Sequence, residues 1–254
     1  MIGWLIYSAV DVEKNKYYIQ MYKDKFKEHF IEIKLVIVEE LENMEQYVKC
    51  NKVDFAINRS RNHIMGELLE QKGVRVFNSS SVTRIANNKG ITYEFLKDVV
   101  PFLAVKYGNE IIESKIENKG FEYPYVIKSC SGHGGSQVFL VNNSKEEEQA
   151  VKAMNGQEYV VQQCCSDLGR DVRVYIIGNK IIKAVLRTST ESFKSNYSLG
   201  GKVQEYTLNN EEKAMVERIV DKLPLDYAGI DFTFNNGKAV FNEIEDAVGA
   251  RMLY

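Results

Sequence analysis

Over the first eighty residues, short apolar runs alternate with longer amphipathic stretches. Residues 3–8 are apolar almost throughout, which predicts a strand buried on both faces, and residues 16–30 carry the wider spacing of a helix. Further strands are predicted over 32–38, 53–58 and 74–78, with helices over 43–50 and 63–72. Strand and helix alternating in this way predict a small parallel α/β domain over residues 1–82. The first strand runs into Ser8-Ala9-Val10-Asp11 without a glycine, so the turn that seats a dinucleotide pyrophosphate is missing, which argues against a dehydrogenase.

The rhythm changes after residue 82. A helix over 82–98 carries Asn87-Asn88-Lys89 and stops before Pro101, and a short strand is expected over 102–107. Residues 123–128 and 138–141 predict two strands joined by a loop containing Gly132, Gly134 and Gly135. A solvated helix over 146–154 follows. The remainder is strand-rich, over 158–164, 172–177, 180–187, 229–234 and 238–245, with one helix over 211–223. Two further α+β domains are expected from this, one central over 83–158 and one C-terminal over 159–254.

The last two of these strands form a hairpin of unusual composition. If Asn235-Asn236-Gly237 is a three-residue loop, Asp231, Glu243 and Glu245 share one face. The opposite face then carries Ile230, Phe232, Phe234, Val240 and Ile244, interrupted only by Asn242. Three carboxylates on one side of a ribbon repel one another, so a hard cation such as Mg²⁺ or Mn²⁺ is the expected partner.

Composition narrows the field. The chain has 254 residues and is 44% hydrophobic, enough for real cores. With 33 basic against 35 acidic residues, it has no bulk charge to draw it to nucleic acid or to an anionic membrane. Asp11 interrupts the first apolar stretch, so the N-terminus reads as a strand and not as a signal or membrane anchor. Cys50, Cys130, Cys164 and Cys165 lack the spacing of a zinc ribbon or disulfide framework and fit a reducing cytoplasm. His29, His63 and His133 are scattered, with no histidine metal pattern.

The glycine loop begins four residues after Lys128 and offers backbone N–H groups as phosphate cradles do, though it is not a Walker sequence. Lys89, Arg173 and Arg187 supply further cations, and the terminal acids supply a metal site. Together these are the parts of a nucleoside triphosphate site.

In order and spacing the parts resemble the ATP-grasp superfamily, and within it the branch similar to the enzyme that adds glutamate to a ribosomal protein. The matching stretches are Asn88-Lys89, residues 123–128 with 132–138, residues 160–163 and 169–173, and residues 184–187. Ser195-Asn196 with Gly200-Gly201, Gly229-Ile230-Asp231 with residues 242–245, and Gly249 complete the set, from about residue 53 to the C-terminus. The resemblance implies an ATP-grasp fold, with the parallel α/β domain ahead of the central and C-terminal α+β domains. Lys89 and Lys128 would contact ATP phosphates beneath the loop of Gly132, Gly134, Gly135 and Ser136. Gln163, Cys164 and Cys165 would meet adenine and Asp171 the ribose, with Arg173 also in the nucleotide set. Lys128 and Arg187 would serve catalysis, with Asn196 nearby. Asp231, Glu243 and Glu245 would hold two Mg²⁺ or Mn²⁺ ions, Glu243 bridging them.

Three positions depart from the family pattern. Ser129 stands where proline is usual, which is expected to loosen the loop. Gln163 replaces a common glutamate, and Glu245 replaces a usual asparagine. The chain also stops at Tyr254, soon after the site, so a terminal helix is expected to be absent or removed. The activity implied is ATP-dependent ligation of a carboxylate to an amine through an acyl phosphate, on an amino acid or peptide. The alternatives are a phosphotransferase of the same fold, or a nucleotide-binding regulatory or assembly protein without turnover. Arg59 and Arg61 follow the strand over 53–58, at the sheet edge that faces ligands, and are candidates to bind an acidic substrate. Residues 192–201 are the candidate loop near the acceptor.

Overall fold

The computed structural model describes residues 1–108, 121–135, 137–190, 192–194, 202–250 and 252. They fall into two compact units. One comprises Met1–Arg84, Leu225–Ala228 and Asp246–Val248, and the other Ile85–Pro224, Gly229–Glu245 and Gly249–Tyr254.

The first unit is built on a four-stranded parallel sheet ordered β2-β1-β3-β4, with β1 Ile2–Tyr7, β2 Glu32–Ile37, β3 Phe55–Asn58 and β4 Arg75–Phe77. The apolar run of β1 follows from its central place. Trp4 and Ile6 pack with Val36, Ala56 and Met65 on one face, and Leu5 and Tyr7 with Ile19 and Ile33 on the other. The connecting helices are α1 (Ala9–Glu28), α2 (Met44–Cys50) and α3 (His63–Gln71). α1 starts well before the predicted residue 16, because residues 9–15 hold no glycine or proline to delay it. The side chains of Asn43 and Asn62 cap α2 and α3.

The second unit carries two sheets. In the smaller, ordered β5-β8-β6-β7, the strands β5 (Val105–Tyr107), β6 (Tyr125–Ser129), β7 (Val138–Val141) and β8 (Tyr159–Gln163) pair antiparallel. Tyr125, Ile127 and Val141 pack there against Ala150 and Met154, at the end of α6 (Ser144–Ala153). The larger sheet is ordered β11-β10-β9-β12-β13, from β9 (Arg170–Ile177), β10 (Lys180–Thr188), β11 (Lys202–Glu205), β12 (Tyr227–Asn235) and β13 (Lys238–Glu245). α7 (Asn210–Lys222) buries Met215, Val216 and Ile219, and opens on a capping box between Asn209 and Glu212.

Two differences from the sequence expectation shape the site. The helix predicted over 82–98 is two, α4 (Ser80–Ala86) and α5 (Lys89–Leu96), because Asn88 turns extended and its Oδ1 accepts the Ile91 N–H at 3.1 Å. Lys89 thereby becomes the first residue of a helix. The terminal hairpin also turns differently. Asn235 pairs with Lys238, leaving a two-residue turn of Asn236 (φ 52°) and Gly237 (φ 73°), the pair of positive φ values that such hairpins require.

With that turn alone, Asp231 would face Asn242 and the acids would part. A bulge restores them: the register shifts after Phe232, which pairs with Phe241, so that Asp231 pairs with Glu243 and Gly229 with Glu245. The shared acidic face is therefore observed, for a different reason from the one expected. The apolar face needs one correction. Phe241 is fully buried opposite Phe232, whereas Val240 is half-buried opposite Thr233 on the other face.

Candidate active site

Within the second unit, the two sheets and their loops line a cleft open to solvent. Lys89, Lys128, Gly132, Gly134, Gly135, Gln163, Cys165, Asp171 and Glu243 all line it. Cys164, half-buried beside Cys165, is not part of the lining. Asn196 and Ser136 lie outside the described residues, as do Ser195, Gly200 and Gly201.

Lys89 reaches the cleft from the first turn of α5. Its backbone N–H donates to the Cys130 carbonyl at 2.9 Å, its Nζ donates to the Gly132 carbonyl at 2.7 Å, and Glu243 lies 3.5 Å from it. Lys128, on β6, is 8% exposed and donates to Asn242 Oδ1 at 2.8 Å. Burial pushes its ammonium down to about 8, against the opposing pull of Glu243.

The glycine loop bends through Gly134 (φ 63°) and Gly135 (φ 77°), a backbone that a side chain would strain. Ser129 tightens its base instead of loosening it. Its N–H donates to the Gln137 carbonyl at 3.1 Å, a bond that a proline has no donor to make.

The bulged residue Asn242 joins Lys128 through its side chain, and its carbonyl accepts the Tyr93 hydroxyl at 2.7 Å. The same hydroxyl accepts from Gln162 Nε2 at 3.0 Å. Tyr93 lies one helical turn after Lys89, so α5 both supplies a lysine and fixes the bulge that turns Glu243 toward it. Sequence reasoning missed Tyr93 and Gln162, since an aromatic on a helix and a glutamine in a strand read as ordinary packing. It also missed Lys194, which lines the cleft and donates to the Gly135 carbonyl at 2.6 Å. A lysine seven residues beyond a predicted strand, inside the loop expected near the acceptor, carries no pattern of its own.

The acids are already held by guanidinium groups. Asp231, fully buried, accepts from Arg173 Nε at 2.7 Å and Nη2 at 2.6 Å, and from Arg187 Nη2 at 2.7 Å. Burial alone would raise its carboxyl, but Arg173 and Arg187 outweigh that and hold it well below the usual carboxylate range. Arg187 also grips Asp171 at 2.5 and 2.8 Å. Arg173 reaches Glu245 at 2.7 Å, so both arginines stay charged despite burial. The extra charge of Glu245 thus has a partner within the fold.

One oxygen from each of Asp231, Glu243 and Glu245 falls within a 4.8 Å cluster, a donor set suited to Mg²⁺ or Mn²⁺. Glu243 and Glu245 are half-buried, whereas both oxygens of Asp231 are engaged by arginine, which leaves Glu243 and Glu245 as the freer donors. In the first unit, Arg61 is paired with Asp11 at 2.6 Å, and Arg59 is buried.

A cleft joining a glycine loop and two lysines to an acid cluster defines the class of ATP-grasp proteins. The family model of the RimK-like ATP-grasp domain matches residues 79–254, and the chain belongs to that family. It is 32% identical to the uncharacterized protein MG011 homolog of Mycoplasma pneumoniae, across 98% of this chain and 85% of that protein. It is 27% identical to a probable alpha-L-glutamate ligase of Vibrio parahaemolyticus, across 84% of this chain and 64% of that protein. Its fold is that of the RimK domain ATP-grasp protein of Sphaerobacter thermophilus, with a TM-score of 0.77 at 20% identity, covering 100% of this chain and 94% of the other. Among the described residues, no helix is long and apolar enough to cross a membrane.

Proposed function

We propose that the chain is an ATP-dependent ligase that joins a carboxylate to an amine through an acyl phosphate, on an amino acid or peptide. The observation that carries this is the meeting, in one cleft, of a glycine loop, two lysines and Glu243, which belongs to the acid cluster with Asp231 and Glu245. Lys89 and Lys128 would neutralise phosphate oxygens of ATP, and the N–H groups of residues 132–135 would close over them. Gln163, Cys165 and Asp171 line the cleft, and in this reading Gln163 and Cys165 would meet the adenine base and Asp171 the ribose. Glu243 and Glu245, with Asp231 behind them, would hold Mg²⁺, which supplies Lewis-acid charge beside the transferred phosphoryl group. Arg187 would offset negative charge on the reacting group once its grip on Asp171 relaxes. The family's ligases, including the glutamate ligase relative, support the amide-forming reading.

The test is incubation with ATP, Mg²⁺, a panel of carboxylic acids and hydroxylamine. A ligase releases ADP and yields a hydroxamate. A stable phosphoester instead identifies a phosphotransferase, and nucleotide binding with neither product identifies a binder without turnover.

A further inference from the structure

The segment that follows β8 lines the cleft and is bonded to the turn of the terminal hairpin. Gln163, Cys165 and Leu168 face the cleft, and Ser166 and Asp167, between them, hold the turn. The Ser166 N–H donates to Asn235 Oδ1 at 3.1 Å, and its hydroxyl accepts the Asn236 N–H at 2.6 Å and donates to Asp167 Oδ2 at 2.9 Å. Asp167 Oδ2 also accepts the Gly237 N–H at 3.1 Å, and the Asp167 N–H donates to the Phe234 carbonyl at 3.4 Å. The Thr233 hydroxyl donates to Cys165 Sγ at 3.3 Å. Every residue from Thr233 to Gly237 is thus bonded to residues 165–167.

The hairpin needs none of these bonds for its own pairing, which closes at Asn235 and Lys238 and leaves the N–H groups of Asn236 and Gly237 outside it. Ser166 and Asp167 take both. The Gly237 N–H and the Ser166 hydroxyl hold the Asp167 carboxyl below the usual carboxylate range, so the clasp is anionic at neutral pH. The hairpin it holds carries Asp231, Glu243 and Glu245. We propose that Ser166 and Asp167 are positioning residues, which clasp the hairpin so that a base seated against Gln163 and Cys165 raises the affinity of Glu243 and Glu245 for a divalent cation. The inference rests on the base position given under the proposed function. The physical route is ordering. A base that fixes residues 163–165 also stills the turn bonded to 165–167, and a cation then gives up less freedom in gathering the two carboxylates. Reciprocity requires the cation to tighten the base by the same factor.

Adenosine is the probe, because without phosphates it cannot hold the cation itself. Mn²⁺ binding to the whole chain, read by electron paramagnetic resonance with and without adenosine, should tighten about fivefold or more in wild type. In Asp167→Ala each ligand should still bind alone, and the tightening should disappear. Asp167→Asn keeps an oxygen for the Gly237 N–H and should retain most of it. Amide exchange read by NMR separates positioning from stability. Adenosine should slow exchange at Asn236 and Gly237 in wild type and not in Asp167→Ala, whereas a loss of overall stability would also speed the core amides of Ile230 and Phe232. If Asp167→Ala does not fold, Ser166→Ala, which removes the acceptor of the Asn236 N–H, makes the same comparison. Adenosine that binds but leaves Mn²⁺ affinity unchanged, or tightens it equally in the folded variant, overturns the clasp and spares the nucleotide reading. Adenosine that does not bind wild type overturns the base position in that reading, and the clasp with it.

Discussion

Asp231 stands opposite Glu243 across the terminal hairpin, although the two-residue turn at Asn236-Gly237 would by itself set it opposite Asn242. Asp231 also sits in a cage of two arginines, Arg173 and Arg187. Replacing Asp231 with asparagine leaves those guanidiniums buried and short of an anion, which should cost about 3–5 kcal/mol of stability. The wild-type carboxyl is held low in the folded state, so its contribution is present above the unfolded value of about 3.9 and lost as pH falls below that. Urea unfolding between pH 2 and 7 checks both parts. The variant should be weaker at pH 7 and should show a shallower loss in acid; equal stability at neutral pH would refute the ion cage.

Glu243 and Glu245 are not equivalent donors. Glu245 already shares Arg173 at 2.7 Å, while the cation nearest Glu243 among the described residues is Lys89 at 3.5 Å. Glu243→Gln should therefore weaken Mn²⁺ binding beyond the roughly 10–100-fold typical of losing a ligand's supporting partner. Glu245→Asn removes charge that Arg173 largely neutralises and should change it much less. Electron paramagnetic resonance titration of free Mn²⁺ reads both, and a larger loss in Glu245→Asn would reverse the ranking.

How far the chain could be read without coordinates varies with the kind of signal. The alternating β1-to-β4 pattern was legible because parallel strands buried on both faces are unmistakably apolar, as Trp4, Leu5 and Ile6 are. The acidic face was legible too, but the turn and bulge behind it were not, since two parity changes of one residue cancel. β11 escaped notice because its Lys202-Val203-Gln204-Glu205 sequence is polar and is a strand only through its pairing with β10. The break at Asn88 was visible as a residue but not as a cap, because capping depends on whether the preceding helix ends there. Charge pairing was the least legible. Nothing in the spacing of Arg173 and Glu245 said that they meet.

Tyr93 is expected to act through Asn242. Burial holds its phenol protonated, so it is always a donor to the bulge carbonyl while it accepts from Gln162. Tyr93→Phe leaves two buried polar groups short of a partner, at a cost of about 1–3 kcal/mol. If the bulge is what orients Lys128 and Glu243, ATP-analogue affinity should fall along with the melting temperature. A melting shift with affinity unchanged would reduce Tyr93 to a packing role.

Lys128 gives the site a pH limit. Its buried ammonium titrates near 8, against an ordinary value of about 10.4, so above pH 8 the free protein carries a neutral amine where a phosphate is to bind. A bound phosphate would restore the charge, so affinity should fall about tenfold per pH unit from that point. The effect on folding has the opposite sign: the unfolded chain holds the proton more tightly, so this group's penalty shrinks as pH rises from 8 toward 10.4. Titration with a non-hydrolysable ATP analogue from pH 6.5 to 9.5 should show the break in wild type and none in Lys128→Arg, whose charge persists. Asn242→Asp should move the break upward, because it sets a carboxylate where the amide oxygen now lies 2.8 Å from the ammonium. A wild-type profile parallel to that of Lys128→Arg would show that Lys128 keeps its proton throughout, and that Glu243 offsets burial more fully than the enclosure of this lysine implies.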